Sequence, residues 1–263
     1  WVLDNFARDP YAQVSMVETA ENVASRYQVD TAEQNEKVLH RHQQYTDAVG
    51  RGFHKHFMSL PFAIPDARFR KTTASIDGDE GIYPTSAEKL AGLKPVLKDG
   101  SVTLGGQTYP ADGNAGMLVC SRQKARELSA DSNIEIRLLA YGQARTEKAY
   151  MPYAPIPAAQ KALAGADVNI SDIKAVKTHN PFIVNDIVFA RETGFPMENM
   201  NNNGCSLIWG HPQGPTGMRA VIELIEELVE NGGGYGLFTG CAAGDSAMAL
   251  ILEVNDARSA DRV

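Results

Sequence analysis

With 263 residues, 43% of them hydrophobic and 22% charged, the chain has the make-up of a soluble globular protein with a sizeable core. Its net charge of −7 argues against a general nucleic-acid binder, and no apolar run approaches the ~20 residues of a membrane span. The start, WVLDNFARDPYAQ, lacks the apolar core of a secretory signal, so a cytoplasmic location is expected. The first residue is Trp1 rather than Met, which implies a processed or trimmed start. Cys120, Cys205 and Cys241 are far apart and odd in number, as reduced thiols rather than a disulfide framework would be. His40, His42, His54 and His56 have no cysteine nearby and no zinc spacing. They read as a solvated helix and its following loop, and no metal is expected.

Residues 15–50 predict two helices. Val17, Ala20, Val23, Ala24 and Tyr27 recur at helical spacing. Asp30 or Thr31 then caps a second helix, with Glu33 and Gln34 in its first turn. Residues 51–100 read as irregular, with a short helix, SAEKLAGL, capped by Thr85 or Ser86 and ended before Pro95. Residues 101–120 are strand-like, then glycine-rich, then strand-like again, and the helix QKARELSA follows. IEIRLLAYGQ at 134–143 has the pattern of a strand. A helix at 157–165, the strand IKAVKT and a helix at 183–193 come next. The clearest helix is 216–230, with Met218, Val221, Ile222, Ile225, Leu228 and Val229 on one face. The strands YGLFT and AMALILEV close the chain, joined by a turn at Cys241. Strands alternating with helices predict an α/β layered architecture behind a helical region of about 1–100.

Two strings carry chemistry. GHPQGPTG at 210–217 places His211 on a glycine-bearing turn at the mouth of the 216–230 helix. A histidine there serves as a general base or as a donor to a thioester oxygen; taken alone, it also fits a structural loop residue. TGCAAGDSAMA at 239–249 places Cys241 before Ala242, Ala243 and Gly244. Such a thiol exchanges a proton if its pKa suits, and otherwise is a small buried hydrophobe. His179 opens HNPF at the C-terminal end of a strand, where open α/β sheets place ligands; a histidine beside a helix cap is the alternative. Asn203, in NNNGCS, either turns the chain before Gly204 or supports the nearby site through hydrogen bonds.

Together these segments resemble the thiolase family. TAENVASRYQVDTAEQNE at 19–36, LAGLKPVLKDGSVTLGGQTYPADGNAG at 90–116, HNPF, NNGCSLIWGHPQGPTGMR and TGCAAGDSAMALILE match family segments in order along nearly the whole chain. The resemblance implies a thiolase-like α/β fold, two similar βαβαβαββ halves with a helical loop domain inserted in the first. Residues 1–100 would form the loop domain, 101–132 the last strand and helix of the N-terminal half, and 133–263 the C-terminal domain. The nucleophilic cysteine that a thiolase carries in its N-terminal part has no counterpart here. The resemblance therefore implies a fragment or split subunit, inactive as an isolated chain.

The implied chemistry is two-step acyl transfer between CoA thioesters, by Claisen condensation or thiolytic cleavage of a 3-ketoacyl-CoA. His211 would activate the nucleophile and help bind the first thioester oxygen. Cys241 would act as acid and base on the second substrate, His179 would hold the second oxyanion through water, and Asn203 would support the site. No cofactor beyond the CoA substrates is implied. The expected partners are acyl-CoA and either further copies, as a dimer or tetramer, or a complementing N-terminal segment. Tyr109 and Asp245 stand where the family has small uncharged residues, which favours a non-standard acyl-CoA; with Thr108 they are expected to line the substrate pocket. Asp245 would also raise the Cys241 pKa by like-charge repulsion. A decarboxylating ketosynthase and a non-catalytic acyl-CoA-binding subunit are the competing readings.

Overall fold

The computed structural model describes residues 2–258. After a short helix α1 (Val2–Ala7), α2 (Met16–Tyr27) is closed by a capping box: the Glu18 N–H donates to the Ser15 hydroxyl, and the Ser15 N–H donates to the Glu18 carboxylate. Met16, Val17, Ala20, Val23 and Ala24 form its buried stripe. In α3 (Thr31–Arg51) Asp30 is the cap, accepting the Glu33 N–H at 2.8 Å. The buried face of α3 carries Gln34, Val38, Arg41, Tyr45 and Ala48, so an arginine lies where an apolar residue would be usual.

The stretch expected to be irregular contains an antiparallel hairpin, β1 (Phe62–Pro65) with β2 (Thr72–Ile76). Its strands are almost wholly exposed, and without a buried face they carry no alternation to read. The helix expected near 86–93 is α4 (Ala87–Ala91), capped by Ser86. The histidines around it are not all solvated: His54 is buried, its Nε2 3.0 Å from the Asn203 carbonyl.

The two strands expected over 101–120 do not form. A 3₁₀ turn at Leu104–Gly106 and isolated bridges from Thr103, Gln107 and Pro110 are the only regular features before Ser121. Residues 111–120 run largely exposed and pair with no strand among the described residues. A ladder needs a neighbour to take up its N–H and C=O groups, and this segment has none here. The helix expected after it is α5 (Arg122–Leu128), which buries none of its residues.

The remaining strands form one mixed sheet. β3 (Ile134–Arg145), β4 (Ile173–His179), β5 (Gly234–Ala242) and β6 (Ser246–Asp256) lie in the order β3-β6-β5-β4, with β4 and β5 parallel and the other pairs antiparallel. Helices α6 (Pro155–Ala166) and α7 (Ile183–Thr193), backed by α2, share one apolar cluster with Val176, Leu237, Cys241 and Ile251. On the other face α9 (Thr216–Glu230) packs Ala220, Val221, Leu224 and Leu228 on Ala175, Phe238 and Leu252. Gly142 lets α6 lie on β3, since a Cβ there would come within 2.2 Å of the Ala158 carbonyl oxygen. The sequence resemblance implies a third strand between α7 and α9. Met200 makes a single parallel bridge to Val176 there, followed by the one-turn helix α8 (Ser206–Trp209). β5 is also longer than expected, so Cys241 is a strand residue and the turn is formed by 243–245.

Candidate active site

β4 ends at His179, whose register partner on β5 is Gly240. The imidazole is buried, and its Nδ1 lies 2.8 Å from the hydroxyl of Ser206, the first residue of α8. His211 reaches it from the loop before α9. Its N–H donates to the Tyr109 carbonyl at 2.8 Å, and its Nδ1 is 2.7 Å from the hydroxyl of Thr216, the first residue of α9. Gly210 makes that approach possible: its φ is +89°, and a Cβ would fall 2.7 Å from the Ala111 Cβ and 3.0 Å from the Tyr109 ring. The two imidazoles stack with centroids 4.3 Å apart and planes inclined by 28°. Burial lowers both pKa values, that of His179 to about 3 with the neighbouring His211 adding to the shift. Both rings are therefore neutral at pH 7.

Cys241 lies one residue beyond Gly240, at the same edge of the sheet. Alternation along the strand turns its side chain toward α6 and α7, away from the α9 face. Its Sγ accepts from the Asn185 amide at 3.4 Å, and among the described residues no hydrogen bond joins it to His179 or His211. Burial pushes its thiol up to about 12, against the Asn185 hydrogen bond, so it holds its proton at neutral pH. The carboxylate that adds to this shift is Asp186, not Asp245.

The other expected site residues point elsewhere. Asn203 is buried, but its side chain bonds to Arg51 at 2.7 Å and Glu227 at 3.4 Å, tying its loop to α3 and α9 rather than to the histidines. The Thr108 hydroxyl donates to the Ser206 carbonyl at 2.6 Å, and the Tyr109 hydroxyl to the Ile208 carbonyl at 2.8 Å. They clip the 107–110 segment to the loop that carries His211. Asp245, at φ +52°, accepts the Ala149 N–H at 2.9 Å and serves as a backbone cap.

The residues that sequence reasoning missed lie behind His179. Asp186 is fully buried and accepts from Arg41, Thr178, Asn180 and Asn201 at 2.6–3.1 Å. Its signal in the sequence was Asn185-Asp186 interrupting the apolar run of the 183–193 helix. A cavity of about 1300 Å³ lies away from the histidines, between residues 117–129 and β3. Its walls are exposed apolar side chains and solvated ion pairs, whereas the perturbed buried groups are at the end of β4.

Residues 3–123 match the family profile described as thiolase, N-terminal domain, and residues 132–254 match thiolase, C-terminal domain. The chain belongs to the thiolase family. It is 32% identical to an acetyl-CoA acetyltransferase of Chromobacterium violaceum, a match covering 93% of the chain and 62% of that protein. It is 29% identical to a beta-ketothiolase of Cupriavidus necator, covering 93% and 61%. Among solved structures, the Bacillus anthracis acetyl-CoA acetyltransferase superposes with a TM-score of 0.87 at 32% identity, covering 96% of this chain and 63% of that one. This thiolase chain therefore spans about three fifths of the length of the relatives it matches. Among its described residues no group of three or more His, Cys, Asp or Glu side chains is placed to hold a metal ion. No described helix is long and apolar enough to cross a membrane.

Proposed function

We propose that the protein is a thiolase-type acyltransferase that forms or cleaves the carbon–carbon bond of a 3-ketoacyl-CoA, with CoA thioesters as substrates and no further cofactor. The observation that carries the reading is the stacked pair of neutral imidazoles, His179 and His211, at the end of β4. Relatives named acetyl-CoA acetyltransferase and beta-ketothiolase support it.

A neutral His211 is the form that accepts a proton from an attacking thiol. His179 polarises a thioester oxygen through a bound water. Cys241, holding its proton, is poised to protonate the α-carbon of the leaving enolate. In this reading residues 1–100 form the loop domain, 101–132 the end of the N-terminal half, and 133–263 the C-terminal domain. Exposed Leu118 and Val119 in that middle region, with Leu138 beside them on β3, support assembly with a further segment or copy.

The test is an assay of the chain supplied with the complementing N-terminal segment that carries the attacking thiol, for CoA-dependent cleavage of 3-ketoacyl-CoAs and for acetyl exchange. His211→Ala and Cys241→Ala are each expected to lower kcat/KM by about 10²–10⁴. Undiminished turnover in both variants overturns the assignment. Binding of acyl-CoA without any turnover by the wild-type chain together with that segment replaces it with the non-catalytic reading.

A further inference from the structure

The hydrogen bonds behind His179 decide which of its nitrogens carries the proton. Arg41 and Asp186 are both fully buried and paired, Nε to Oδ2 at 2.9 Å. Asp186 Oδ2 also accepts the Asn180 amide N–H at 2.8 Å. This bond, together with the Leu207 N–H donated to Asn180 Oδ1 at 3.1 Å, fixes which end of the Asn180 amide is oxygen. The Ser206 hydroxyl then has three neighbours: the Asn180 N–H at 3.1 Å, Asn180 Oδ1 at 3.1 Å and His179 Nδ1 at 2.8 Å. The first can only donate and the second can only accept. The single hydroxyl proton satisfies Oδ1, and Nδ1 must then be a donor. The opposite choice sends that proton to Nδ1 and leaves the Ser206 and Asn180 side-chain oxygens facing each other at 3.1 Å in a buried site with no proton between them.

We propose that Ser206, held by the Arg41–Asp186–Asn180 chain, fixes neutral His179 as the Nδ1–H tautomer, so that Nε2 presents a lone pair rather than a proton to the site. Nε2 makes no hydrogen bond among the described residues, and it is not one of the unpartnered side-chain atoms sealed from solvent. A neutral ring in this state cannot donate directly to an oxyanion. It accepts from a water whose second proton points at the substrate oxygen, so the water becomes an obligatory part of the oxyanion site. The role given to that water rests on the thiolase-type reading above; the tautomer does not. Ser206, Asn180, Asp186 and Arg41 are positioning residues that act through His179.

The experiment is nitrogen NMR of the whole protein with ¹⁵N-labelled histidine, the His179 signals being assigned by their loss in His179→Gln. The expected spectrum at neutral pH has a protonated Nδ1 and an unprotonated Nε2. An Nε2–H tautomer in the wild type overturns the proposal, and this measurement needs no turnover. In Ser206→Ala the Nδ1 acceptor is gone, so the ring is expected to shift toward Nε2–H, with kcat lowered about tenfold or more. An unchanged tautomer in Ser206→Ala overturns the role of Ser206. Turnover of 3-ketoacyl-CoA is scored separately, with the complementing N-terminal segment supplied, so a correct tautomer without turnover there defeats the functional reading alone.

Discussion

At neutral pH His179 and His211 are uncharged because the folded chain withholds solvent from them, and this links the site to stability. Both folded pKa values lie below the unfolded value of ~6.5. Above that value neither state binds a proton and the full stability is present. As the pH falls through it, the unfolded chain takes up protons that the folded chain refuses, and stability is lost progressively down to about 3 for His179. Denaturant titrations from pH 7 to pH 4 are expected to show a shallower loss for His179→Gln than for the wild type. An equal slope contradicts the burial argument. Asp245 makes a different contribution. Its carboxylate accepts the Ala149 backbone N–H, so Asp245→Ala is expected to destabilise by about 1–3 kcal/mol. The order of preference among branched, aromatic and carboxylated 3-ketoacyl-CoAs should be unchanged in that variant. A reordered panel would restore Asp245 as a specificity residue.

Among the elements, α3 and α7 are joined by an ion pair where two apolar stripes would have sufficed. Arg41 donates to Asp186, to Gln44 and to the carbonyls of Met197 and Met200, so one side chain ties α3 to α7 and to the loop before α8. Arg41→Met is expected to cost about 3–5 kcal/mol in chemical denaturation, because it leaves the Asp186 carboxylate buried without its cation. A loss below about 1 kcal/mol would mean that the three remaining donors to Asp186, Thr178, Asn180 and Asn201, suffice without it. The loop carrying His211 depends on one backbone position. Gly210→Ala must accept both a positive φ and contact with Ala111 and Tyr109. We expect it to displace His211 and lower kcat while leaving the sheet intact, measured as lost turnover with unchanged far-ultraviolet circular dichroism.

Across the whole molecule, the sheet is covered on both faces around β4 and β5 but not along β3. Leu118, Val119, Leu128 and Leu138 are 46–71% exposed and together with Ile136 flank the 1300 Å³ groove, with exposed Tyr141 farther along β3. Apolar exposure of this extent beside an unpaired strand edge favours association. The 263-residue chain is expected to enhance the fluorescence of a hydrophobic dye, and Leu118→Lys with Leu138→Lys to reduce that signal. Dye binding unaffected by the pair would locate the apolar surface elsewhere.

The sequence by itself determined the helices and strands that bury one face. The 183–193 and 216–230 helices were legible to the residue, because apolar spacing is set by the local geometry of the chain. The same holds for His179 and His211, which sit at element ends marked by Gly and Pro. Only the tertiary structure decided features that depend on neighbours distant in sequence. The 111–120 segment has strand composition but no partner strand, and β1 and β2 pair without burying a face. Cys241 was assigned to a turn, yet β6 pairs with β5 through Ala242 and so fixes the direction of its side chain. Arg41 and Asp186 are 145 residues apart, and Asn203 was drawn to Arg51 and Glu227 instead of the site. Local periodicity records which face of an element is buried. It carries no record of which polar group waits on the other side, and that pairing sets the protonation and orientation of the site.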